Sequence, residues 1–204
     1  MILLTFAQGL YISLSIVGGL VILLLLFLLF YRNFYRKKKI KTVVGRKLYH
    51  LADLNDYLLL NDYHIHIDEK NIGEIHHILI TNKFIIVIHD FSISGVISGK
   101  YDGDSLLHLD KNGEELIANP LNYNRNLTKR VALFNNLDNS FLKGIVVVND
   151  DISINIDNIP DQYAITTVKG LKKTIKTFDK EDVKPFKEDT VVSFINALNK
   201  NNIK

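Results

Sequence analysis

The 204-residue chain is predicted to be an α/β protein, a mixed sheet flanked by helices, preceded by one N-terminal transmembrane helix. Three features carry that prediction. Residues 9–31, "GLYISLSIVGGLVILLLLFLLFY", are apolar and uncharged over a length that spans a hydrocarbon core of about 30 Å at ~1.5 Å per residue. From residue 63 onward, short alternating or continuously apolar runs are bounded by turn residues, as strands are. Segments with helical spacing precede, interrupt and follow those strands, which describes one mixed domain.

The elements come in order along the chain. Within the apolar run only Ser13, Ser15 and three glycines break the side-chain wall, and Tyr11 and Tyr31 stand near its ends, where aromatic rings favour the interface. A cleaved signal peptide would carry basic residues before the run and small residues after it. Here the order is reversed: "RNFYRKKKIK", residues 32–41, holds Arg32, Arg36, Lys37, Lys38, Lys39 and Lys41 and no acid. Basic flanks stay on the cytoplasmic side, so a single-pass protein of the cytoplasmic membrane is expected, N-terminus outside and domain inside. Those six cations also suit anionic lipid, at about 1 kcal/mol each near the surface. Three parts are expected: 1–31 with the span at about 9–31, a basic linker 32–42, and a cytoplasmic domain 43–204.

Within the domain, residues 43–60 place Leu48, Leu51, Leu54 and Leu58 on one helical stripe, which Asn61-Asp62 ends. "YHIHI", 63–67, alternates, with His64 and His66 on one face. "EIHHILIT" and "FIIVIHDF" read as strands joined by a two-residue turn at Asn82-Lys83. "GVISG" and "SLLHLD" continue a meander, and Glu115 to Ala118 pairs back after a turn at "DKNGEE". Pro120 opens a helix through residue 137. "LKGIVVVN" is a continuous apolar run, the mark of a buried strand. "YAITTVKG" is a further strand and "LKKTIKTF" a short helix. "EDTVVSFINALNK" closes the chain as an amphipathic helix.

Composition excludes some chemistry. There is no Cys, hence no disulfide, thiolate zinc site or cysteine nucleophile. Residues 42–204 hold 19 Lys+Arg against 22 Asp+Glu, so the basic balance of the whole chain comes from the linker, unlike a strongly basic nucleic-acid binder. The richness in Ile, Asn and Lys is the usage of an AT-rich bacterial genome. "DKNGEE" lacks the spaced acids of a calcium loop, and no glycine-rich phosphate loop or nucleophile elbow is present. Arg125, Lys129 and Arg130 on the 120–137 helix read as a solvated face.

The element order, with "IHHI" at 75–78, "VIHDF" at 87–91 and Asn119-Pro120, resembles the nuclease-related domain (NERD), a branch of the PD-(D/E)xK restriction-endonuclease-like families. The likeness covers roughly residues 43–178. The resemblance implies that the family's metal-binding Asp falls on His76, its Glu on His89, its Lys on Phe91 and a later Gln on Tyr123. A helix Glu would fall near Leu48-Tyr49, at Tyr49. Nucleases of this kind bring two carboxylates to Mg²⁺, which activates water and stabilises charge on phosphate. Those residues are changed here while the framework around them is kept. Asp90 is a carboxylate one residue away, and a shift of one along a strand points to the opposite face.

These replacements imply a degenerate nuclease-like domain, a pseudoenzyme acting as a binding module for a protein partner or nucleic acid, with no cofactor expected. One alternative is an active nuclease in which His76, His89, His64 and His66 hold a transition metal such as Zn²⁺ or Ni²⁺, which nitrogen ligands suit. Another is a structural anchor of a membrane complex. The blander reading of His76 and His89 is a neutral pair filling a disused pocket.

Overall fold

Helix periodicity in the leucine stripe and strand alternation after it set the first two elements of the domain. The computed structural model describes residues 2–67 and 70–201, with side chains for 17–28, 40–64 and 73–198. It divides into two units, Met1–Lys39 and Ile40–Lys204. The helix α1 runs Ile2–Asn55. Within the first unit, residues 17–28 are exposed, from 50% at Val21 and Leu28 to 67% at Leu23. Among the described residues no helix is long and apolar enough to cross a membrane, and residues 9–16 and 29–31 of the expected span 9–31 lie outside the described side chains.

Helix α1 stops at Asn55, five residues before the end expected at residue 60. Asp56 adopts φ 59° and the Tyr57 N–H returns to the Ala52 carbonyl at 3.0 Å, a left-handed cap that ends the helix. Leu58, counted on the helical stripe, therefore begins strand β1, Leu58–Ile67. Strands β2, Lys70–Ile80, and β3, Ile85–Phe91, come next. The turn between them forms at Asn82-Lys83 as the sequence indicates: the Thr81 N–H bonds the Phe84 carbonyl at 2.9 Å, and the Thr81 hydroxyl accepts the Lys83 and Phe84 N–H groups. Then come β4, Gly95–Lys100, β5, Ser105–Asp110, and β6, Gly113–Ala118. Helix α2 is Pro120–Phe134, capped by the Asn119 side chain, which accepts the Leu121 N–H. Strands β7, Leu142–Val148, β8, Ile152–Asp157, and β9, Tyr163–Thr167, alternate with turns; helices α3, Leu171–Asp179, and α4, Glu188–Asn201, complete the chain.

The strands form two sheets, not one. The first has the order β1-β2-β3-β7-β9, the second β6-β5-β4-β8. The parallel pair β3–β7 ends at Phe91 opposite Val148, and after short links the parallel pair β4–β8 resumes at Gly95 opposite Ile152. One ribbon thus runs through both sheets. Strand β8 is an element not expected from the sequence, although Ile152, Ile154 and Ile156 alternate with polar residues and point to one core.

The first sheet is covered on both faces. On one, Val44, Leu48 and Leu51 of α1 and Leu171, Ile175 and Phe178 of α3 pack on Leu79, Ile86, Ile88 and Val147. On the other, Leu127 and Val131 of α2 and Phe194 and Leu198 of α4 pack on Ile78, Ile80 and Val87. A third cluster joins Tyr101, Ile97 and Leu121 to Val146 and Tyr163, tying the second sheet to the first. Complete double coverage explains why β7 is buried at every position.

Candidate functional site

The site lies where β2 and β3 part. Their ladder pairs Ile80 with Ile85 through His77 with Ile88 and goes no further. Beyond it the Asp90 N–H, which lacks a strand partner on that side, donates to His76 Nδ1 at 3.1 Å. The cause is local: Asp62, opposite His76, takes a left-handed φ of 55°, and the ladder between β1 and β2 skips from Asn61–His77 to Tyr63–Ile75. Side-chain alternation breaks there. His77 and Leu79 face α1, where His77 Cε1 lies against Gly45. Upstream, Gly73 lies against Leu127 of α2 and Ile75 packs on the α2 side, while Glu74 reaches Lys41 of α1. Period-2 alternation would have put Ile75 with His77.

Two layers of polar groups result. On the α2 face, the rings of His76 and His89 stack, with centroids 4.2 Å apart and planes 29° apart, and Tyr123 tilts against His89 at 4.9 Å. On the α1 face, Asp90 Oδ2 lies 3.1 Å from His77 Nε2, and His77 Nδ1 lies 2.5 Å from Asn61 Oδ1. The carboxylate links the layers, because the same Oδ2 is 3.2 Å from His76 Nδ1. That nitrogen faces both the Asp90 N–H and its carboxylate. It accepts from the first when unprotonated and donates to the second when protonated.

Electrostatics follow from burial and these neighbours. Burial, and then the neighbouring His76, push the His89 imidazole down to about 4, so it is neutral near pH 7. Burial alone would raise the Asp90 carboxyl. The bonds to His76 and His77 outweigh it, and the group lies below the usual carboxylate range. His89 Nδ1 and Asp90 Oδ1 are buried and have no hydrogen-bond partner among the described residues.

The structure brings together three of the positions singled out from the sequence: His76, His89 and Tyr123. It also supplies His77, and Asp90, which strand parity had turned away. Asp90 does point to the opposite face from His89; it reaches the site because the ladder has opened. The others lie elsewhere. Phe91 packs into the third core cluster. Tyr49 is 70% exposed, and the α1 residue at the site is Gly45. His64 pairs with Glu74 in the ladder, not with the His76 position, and the His66 side chain lies outside the described residues. Arg32, Arg36, Lys37, Lys38 and Lys39 have their side chains outside them too. Lys41, grouped with the lipid-facing cations, is instead committed to Asp62 at 2.6 Å and Glu74 at 2.8 Å. His108 lies 2.8 Å from the Ser94 carbonyl and 3.0 Å from Glu115 Oε1. The carbonyl first, then the carboxylate, raise it.

The donor set does not fit Mg²⁺. That ion demands near-octahedral oxygen ligation. Of the carboxylates at or beside the site, Asp90 has Oδ2 held between two imidazoles, and Asp62 and Glu74 are occupied by Lys41. The remaining donors at its centre are ring nitrogens. Among the described residues no group of three or more His, Asp or Glu side chains is arranged to hold a metal ion.

A family model described as "Nuclease-related domain" matches residues 41–149, just over half of the chain. The match runs from the domain part of α1 through β7 and includes every residue of the site. Searches of curated proteins and of solved structures return no match.

Proposed function

We propose, from the premise that this chain belongs to the nuclease-related domain family, that it is a membrane-anchored binding module whose nuclease-type pocket no longer cuts nucleic acid. The observation that carries this reading is the His76–His89 stack capped by Tyr123. Three of the five positions that the resemblance singles out converge, and they present two imidazoles and a phenol. A neutral imidazole and a phenol lack the charge to hold a hard cation against phosphate. Asp90, the nearest carboxylate, has its charge engaged by His76 and His77. The domain would sit at the cytoplasmic face of the membrane, held by the apolar run 9–31 and the basic linker, and a protein partner is the occupant favoured by its acidic balance.

The test uses the full chain in nanodiscs of zwitterionic lipid. Incubation with single- and double-stranded DNA and Mg²⁺, Mn²⁺ or Zn²⁺ is expected to leave the DNA intact. Added Mg²⁺ is expected to shift the thermal midpoint by no more than a degree or so, since only an ion that binds the native state stabilises it. Cleavage that disappears in a His76→Ala, His89→Ala double variant would establish histidine-supported nuclease chemistry and end this reading.

A further inference from the structure

On the opposite side of α1 from the histidines there is a groove of about 450 Å³ between that helix and the start of α3. Its floor is apolar: Val43, Leu48, Leu51, Leu54 and Leu171. Leu54 is 60% exposed within it. Its rim is basic: Arg46, Lys47, Lys169 and Lys172, with no acidic residue lining it. Lys47 donates to the Val168 carbonyl at 2.7 Å. Among the described residues no ion pair engages Arg46, Lys169 or Lys172. Asp150 lies close by, its carboxylate accepting the Lys169 backbone N–H at 2.7 Å.

Helix α3 adds to the positive end. Gly170 at its N-cap supplies no side-chain oxygen, and its first turn has no acid. A helix start is commonly given a capping side chain and an acid; here Lys172 and Lys173 occupy it. The local positive field also runs against the domain as a whole, which holds more acids than bases.

We infer that this groove is a docking site for an acidic amphipathic helix of a partner protein. The α1 wall offers residues 43, 46, 47, 50, 51 and 54, a single stripe at the spacing that receives a helix by its i, i+3, i+4 and i+7 side chains. Apolar anchors of the partner would lie on the leucine floor and its acids on the rim. Nucleic acid is the poorer fit, because a phosphate backbone gains nothing from the exposed apolar surface of Leu54 and Val43. The inference rests on the interaction-module reading and names the surface and the partner's chemistry.

The experiment uses the full chain in zwitterionic nanodiscs and a fluorescein-labelled, 18-residue designed helix bearing leucines on one stripe and glutamates on the flanks. Fluorescence anisotropy is expected to show saturable binding that weakens with salt and is at least about tenfold weaker for a scrambled peptide of the same composition. Arg46→Glu with Lys172→Glu is expected to abolish binding and to accept the lysine-flanked version of the peptide, while Leu54→Asp weakens both. All three positions are exposed, so the variants should keep the unmodified thermal midpoint, which is measured alongside. No binding, equal binding of the scrambled peptide, an unchanged affinity in the variants, or displacement of the peptide by 20-nucleotide DNA each overturns the inference. DNA cleavage by the same preparation would instead strike at the preceding reading and leave the groove data standing.

Discussion

Asp90 and His89 are neighbours that both hold their protons less tightly than usual, and acid should separate them by the pH at which each costs stability. His89 is depressed in the folded protein, so the unfolded chain binds a proton first as pH falls. Its effect is therefore a loss of stability between about pH 6.5 and about pH 4, levelling below that, and amounts to roughly 3 kcal/mol at the limit. Asp90 is depressed as well; its contribution is present above the ordinary Asp value and is lost as pH falls through the lower folded value. Urea unfolding of the unmodified chain and of His89→Phe should show the slope between pH 6.5 and 4 reduced in the variant, with the lower-pH loss retained. At pH 7, Asp90→Ala should cost about 1–3 kcal/mol, because it leaves buried His77 Nε2 without its hydrogen-bond partner; the midpoint in urea measures it. His76 and His89 were legible as a pair from the resemblance. Asp90 was not, because parity holds only while the ladder holds, and the left-handed Asp62 that breaks it carries no distinctive sequence signal.

Among the elements, α2 carries Tyr123 to the site, and its start is fixed by one side chain. Asn119 Oδ1 caps the helix, while its Nδ2 donates to the carbonyls of Tyr101 at 3.0 Å and Gly103 at 2.8 Å. Asn119→Ala should cost about 2–4 kcal/mol, adding a lost cap to buried carbonyls left unpaired, and thermal or urea denaturation reads it. At the other boundary, Asp56 sits where a helix commonly ends on glycine. Asp56→Gly should raise stability by up to about 1 kcal/mol by relieving its positive φ, seen as a higher urea midpoint with unchanged slope. The contrast explains the two misplaced helix ends. Asn136, with φ 49°, closes α2 on a residue type that tolerates this conformation, whereas an aspartate followed by a tyrosine and three leucines reads as more helix.

At the scale of the whole chain, anchoring separates the two halves of the proposal. Cells producing the full chain should retain it in the membrane pellet through alkaline carbonate washing, and a chain lacking residues 1–31 should appear in the supernatant; release of the full chain would refute the span. Sequence by itself determined the apolar run, the basic linker, most strands, the burial of β7 and the family, since each depends on composition or periodicity over a short window. Tertiary structure decided the rest: two sheets sharing one ribbon, the commitment of Lys41 to Asp62 and Glu74, the groove between α1 and α3, and the carboxylate of Asp90 between two histidines. These arise where strands part or where elements distant in sequence meet, and no local pattern encodes the distance between such residues.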